Sequence, residues 1–84
     1  MDQAIILQEL EALATDLAIE IRYDELDGSG GLCRYKGKTC LIVNRGLSVP
    51  ERVRLFSREL SQFPLEDTFI RPQVRQLLAR HRPA

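Results

Sequence analysis

Two runs of strand-forming residues, Leu32-Cys33-Arg34-Tyr35 and Thr39-Cys40-Leu41-Ile42-Val43, flank Lys36-Gly37-Lys38. A glycine at the tip between β-formers on both sides is the pattern of a β-hairpin, placed here over about residues 31–44. No other segment restricts the fold so strongly, because a hairpin sets the direction, pairing and register of two strands together. With Lys36 and Gly37 as the turn residues, Tyr35 pairs with Lys38 and Arg34 with Thr39. Cys33 then lies opposite Cys40, and Leu32 opposite Leu41.

The flanking segments read as helices and one further strand. Ile6, Leu10, Leu13 and Leu17 recur at i, i+4, i+7 and i+11, with Ala14 and Ala18 beside them, predicting an amphipathic helix over about residues 2–17. Ile19, Ile21 and Tyr23 alternate with Glu20, Arg22 and Asp24, so the period changes from 3.6 to 2 and a half-buried strand begins. Asp27-Gly28-Ser29-Gly30-Gly31 is a connecting loop with positive φ angles; it leads into a strand, unlike the glycine-rich loops that hold phosphate at a helix N-terminus. After the turn Asn44-Arg45-Gly46-Leu47, Ser48-Val49-Pro50-Glu51 has the order of a capped helix start: serine cap, early proline, and glutamate three residues on. Val49, Val53, Phe56, Leu60 and Phe63 form its apolar stripe, and Pro64 is expected to end it. A last helix begins near Pro72, with Val74, Leu77, Leu78 and His81 on one face.

An 84-residue chain has room for one core. At 44% apolar and 29% charged residues it is too apolar to be disordered. No apolar run approaches a membrane span, and Met1-Asp2-Gln3 opens without the basic region of a signal peptide. Together with only two cysteines, this is read as cytoplasmic. The expected architecture is a single α+β domain over residues 1–84. It comprises an N-terminal helix, an antiparallel sheet of about three strands including the hairpin, and two helices packed mainly on one face.

The net charge of zero conceals an asymmetry, since residues 1–30 carry eight acids and one base while residues 31–84 carry eleven bases and four acids. The two halves can neutralise one another by packing together. Alternatively, Arg54, Arg71, Arg75, Arg80 and Arg82 can present a surface to an anion or nucleic acid. No nucleic-acid motif accompanies them, and two tyrosines without tryptophan make a thin stacking platform. The opposed Cys33 and Cys40 are either two buried reduced thiols or a thiol-redox pair whose bridge would be strained and reducible. His81 is the only histidine, so neither a complete Cys/His zinc site nor a histidine-based catalytic triad is expected within the chain.

The run from Thr39 to Phe63 resembles the core of zincin-like metallopeptidases of the ImmA/IrrE type. It has a strand ending in Asn44, a turn carrying Pro50-Glu51-Arg52, and a helix containing Ser57-Arg58-Glu59-Leu60-Ser61-Gln62. In that family the corresponding helix reads Ala-His-Glu-Leu-Gly-His. The resemblance therefore places Arg58 and Gln62 on the two zinc-ligand positions and Glu59 on the general-base position. Arg cannot ligate zinc and Gln is a poor substitute for imidazole, so the resemblance implies an inactive core without a metal cofactor. It implies a non-catalytic binding or regulatory module, with Arg58, Glu59, Gln62 and the sheet edge as contact surfaces for a protein partner or a second copy.

Overall fold

The computed structural model describes residues 1–82. Helix α1 spans Gln3–Asp16, strand β1 Ile19–Asp24, β2 Gly30–Tyr35, β3 Lys38–Asn44, helix α2 Val49–Leu60 and α3 Pro72–Ala79. The order and types of elements are those read from the sequence. The sheet is not purely antiparallel, however. Its spatial order is β1-β3-β2, with β1 running parallel to β3 and β2 antiparallel to it.

The physical reason for this correction is the burial demand of β3. Cys40, Leu41 and Val43 are all but inaccessible to solvent, whereas β1 buries only Ile19 fully and β2 buries no residue fully. The most apolar strand takes the centre and leaves the more polar ones as edges. The chain must then cross the end of β3 between β1 and β2, a span of two strand spacings, roughly 10 Å. Residues 25–29 make that crossing, and Asn44 at the end of β3 ties them down. Its Nδ2 donates to the carbonyls of Leu26 (2.9 Å) and Gly28 (2.8 Å), and its backbone N–H donates to the carbonyl of Ser29 (2.9 Å). Its Oδ1 accepts from Gly46 N–H at 2.9 Å, so one side chain serves the turns on both sides of the strand end.

Gly30 closes the crossing. It has φ +119°, and a Cβ added there would collide with the Ile42 carbonyl oxygen. At the far end of the hairpin, Lys36 (φ 51°) and Gly37 (φ 80°) both take left-handed conformations, as a two-residue type I′ turn requires. The resulting register is the expected one, with Cys33 opposite Cys40 and Leu32 opposite Leu41.

Helices α1 and α2 pack side by side on one face of the sheet, and α3 rests on those helices rather than on the strands. In α1 the buried stripe is Leu7, Leu10, Leu13 and Ala14, while Ile6 and Leu17 pack at its margin. In α2 the buried surface is broader than a stripe: Val53, Leu55, Phe56, Ser57 and Leu60. The Ser57 hydroxyl is satisfied by donating to the Val53 carbonyl at 2.7 Å, so a wholly buried polar group is accommodated. The helix opens on the expected capping box. Glu51 N–H donates to Ser48 Oγ at 3.3 Å, and Ser48 N–H donates to Glu51 Oε1 at 2.9 Å. These bonds from Ser48 hold the Glu51 carboxyl below its usual range. The helix stops at Leu60, short of Pro64, where Ser61 caps it and its hydroxyl donates to the Arg58 carbonyl.

Two substitutions test this account. Ala18 is exposed and joins α1 to β1 with φ 60°, a conformation that strains a Cβ. Ala18→Gly is expected to stabilise the fold by about 1 kcal/mol, raising the melting temperature by roughly 4–8 °C. Gly30→Ala is expected to cost roughly 3 kcal/mol or more in denaturant unfolding, because the new methyl must displace the backbone of β3.

Candidate functional site

The last turns of α2 meet the edge strand β2. Arg58 and Glu59, in the last turn of the helix, and Gln62, in the turn just beyond it, come together there. Glu59 is the inner member, its side chain 13% exposed against 54% for Arg58. Arg58 Nη2 lies 3.4 Å from Glu59 Oε1, and Gln62 Nε2 donates to Glu59 Oε2 at 2.8 Å. Both carboxylate oxygens are thus engaged, one from within the helix and one from the turn that follows it. Gly31 of β2 supplies the remaining wall. A Cβ added to it would lie 3.4 Å from Glu59 Oε1, so the bare glycine lets the carboxylate sit against the strand.

Among the described residues, no strand lies on the outer side of β2. In a hairpin closed by a two-residue turn, Tyr35, Cys33 and Gly31 exchange both backbone hydrogen bonds with β3. The N–H and C=O groups of Leu32 and Arg34 consequently point outward along the strand edge whose Gly31 meets Glu59.

The donor set does not suit zinc. Arg58 offers only N–H donors and a permanent charge, and Gln62, with its Nε2 on Glu59, offers only a carbonyl oxygen, a poor substitute for imidazole. Among the described residues, no three His, Cys, Asp or Glu side chains converge. Glu59 in this setting is an ion-paired acceptor.

Cys33 and Cys40 face away from the helices, opposite one another, and both are free thiols. They line a shallow cavity of about 210 Å³ with Arg22, Asp24, Tyr35 and Ile42. Burial pushes the Cys40 thiol above its ordinary pKa. The Glu20 carboxylate and the neighbouring Cys33 push in the same direction, and Arg22 opposes them.

The C-terminal arginines are divided. Arg71 pairs with Glu9 of α1 at 2.6 Å, which brings the basic half of the chain onto the acidic half. Arg75 donates to the Leu65 and Thr68 carbonyls, and Arg82 to those of Ser61 and Phe63, so both fasten the segment between α2 and α3. Arg54 and Arg80 are exposed on different helices or their ends. His81 is also exposed, just beyond α3.

Sequence reasoning missed two arrangements. One is the contact between Gly31 and Glu59, which lie too far apart along the chain to carry a local signal. The other joins α1, β1 and α2. Tyr23 Oη donates to Glu11 Oε2 at 2.7 Å, and the Arg52 guanidinium lies 5.2 Å from the Tyr23 ring centre. Partial burial and the Glu11 carboxylate push the Tyr23 phenol up to about 12.

The fold and this corner define a small α+β domain with a clamped carboxylate beside an open strand edge. No protein-family model, curated protein or solved structure matches the chain. Among the described residues, no helix is long and apolar enough to cross a membrane.

Because its partners are exposed, the Glu59 clamp is expected to contribute little to folding. Glu59→Gln should change the unfolding free energy by less than about 1 kcal/mol in a urea titration.

Proposed function

We propose that this chain is a non-catalytic binding or regulatory module with a metallopeptidase-like but inactive core. Its contact surface is the corner where α2 meets β2. The observation that carries this reading is the pairing of Glu59 with Arg58 and Gln62 against the strand edge that carries the outward backbone groups of Leu32 and Arg34. The resemblance puts zinc ligands at positions 58 and 62. Here those positions hold a cation and an amide that bind the glutamate itself. An open strand edge next to a fixed pattern of charge suits an extended segment of a partner protein. Main-chain bonds would supply affinity, and the Arg58/Glu59/Gln62 side chains would select the sequence. The arginine set 54, 71, 75, 80 and 82 offers less to an anionic partner, because Arg71, Arg75 and Arg82 are already bonded within the chain.

Two measurements test the proposal together. Elemental analysis of purified protein is expected to find no stoichiometric zinc; one tightly held zinc per chain would defeat the inactive-core reading. Affinity capture should recover a specific protein that is lost with Arg58→Glu/Gln62→Ala but retained with Arg54→Glu. Equal recovery with both variants would remove the α2/β2 corner as the binding surface.

A further inference from the structure

We propose that Cys33 and Cys40 form a two-coordinate site for a soft monovalent d¹⁰ cation, Cu(I), on the sheet face away from the helices. This site is separate from the α2/β2 corner and does not depend on the function proposed for it.

The spacing of the two residues favours an ion over a bridge. Cys33 and Cys40 are partners in the register, two positions out from the Lys36-Gly37 turn, so their residues exchange both backbone hydrogen bonds. Cβ atoms in such pairs stand about 5.5 Å apart, against about 3.8 Å in a disulfide. Closing a bridge would require β2 and β3 to pinch together, and β3 is held in place by β1 on its other side. An ion between the sulfurs relieves that demand. Metal–thiolate bonds are about 2.3 Å each, so the pair of bonds spans more than twice the roughly 2.0 Å of an S–S bond.

The donor set selects the ion. Two thiols line the cavity, with no imidazole and no third sulfur beside them. Tetrahedral zinc would be left half-coordinated, whereas thiolate softness favours Cu(I), which accepts two ligands. Asp24 is a hard carboxylate and competes poorly for a soft ion.

Charged groups around the cavity tune the site. Binding exchanges two S–H bonds for two metal–sulfur bonds: Cu⁺ and two thiols give a bis-thiolate complex of charge −1 and two released protons. Arg22 lines the cavity and attracts this negative charge, while Asp24 in the cavity and the nearby Glu20 carboxylate oppose it. Half-buried Cys33 provides the entry, and Cys40, only 3% exposed, shields the bound ion from water and oxidant.

The test is anaerobic titration of the reduced full chain with Cu(I), using bicinchoninate as competing chelator and native mass spectrometry for stoichiometry. One Cu(I) per monomer is expected, with affinity rising with pH as protons are released. Cys33→Ser should abolish competition with the chelator while the far-UV spectrum and melting temperature stay close to wild type. Arg22→Gln should weaken binding roughly tenfold, as loss of an outer-shell partner does. Binding by Cys33→Ser at wild-type strength, or an ion shared between two chains, would overturn the site. Quantitative intrachain disulfide formation by a mild thiol oxidant in the folded protein would overturn the spacing on which it rests.

Discussion

β3 needs neighbours on both edges, and much of the molecule depends on meeting that need. Its Leu41 and Val43 are wholly inaccessible to solvent, so an edge position would expose the most apolar strand of the chain. The hairpin supplies one neighbour directly. The other has to be β1, which runs parallel to β3, and the chain must cross the strand end to reach β2. Asn44 and Gly30 make that crossing feasible. The first donates to two carbonyls of the crossing loop, and the second allows the loop to return against the Ile42 carbonyl. Placing β3 centrally also sets both candidate sites. It leaves β2 as an edge beside α2, and it holds Cys40 fixed opposite Cys33.

The charges of the chain serve the fold more than a surface field. Of the arginines in the C-terminal half, Arg75 and Arg82 are bound to carbonyls in the segment between α2 and α3. That segment has no regular partners of its own, and guanidinium groups meet its orphan acceptors with geometry suited to several carbonyls at once. Arg71 joins Glu9, and Arg52 stacks on Tyr23, whose hydroxyl reaches Glu11. The acidic first helix and the basic remainder meet through a few specific contacts of this kind.

The α2/β2 corner gathers three polar side chains where a helix ends against an edge strand. Arg58 and Glu59 lie in the last turn of α2 and Gln62 two residues past its end, and their side chains meet. Arg58 and Gln62 hold Glu59 in one orientation through its two carboxylate oxygens. The corner is then a fixed arrangement of charge at the side of an edge strand. The thiol pair lies on the opposite face of the sheet from the helices, so the two sites are free to act independently.

The sequence by itself determined everything that depends on neighbours along the chain. The hairpin register, and with it the Cys33–Cys40 opposition, comes from a two-residue turn. The capping box comes from Ser48 and Glu51, and the succession of elements from hydrophobic period. The meeting of Arg58, Glu59 and Gln62 was legible for the same reason. Tertiary structure alone decided the parallel partner of β1, because an alternating strand carries no mark of which edge it will join. It likewise decided that Gly31 admits Glu59, that α2 ends before Pro64, and that arginines suited to phosphate close on carbonyls instead. Each of these depends on groups distant in sequence competing for the same space or the same hydrogen bond, and that competition is resolved only when the chain is packed.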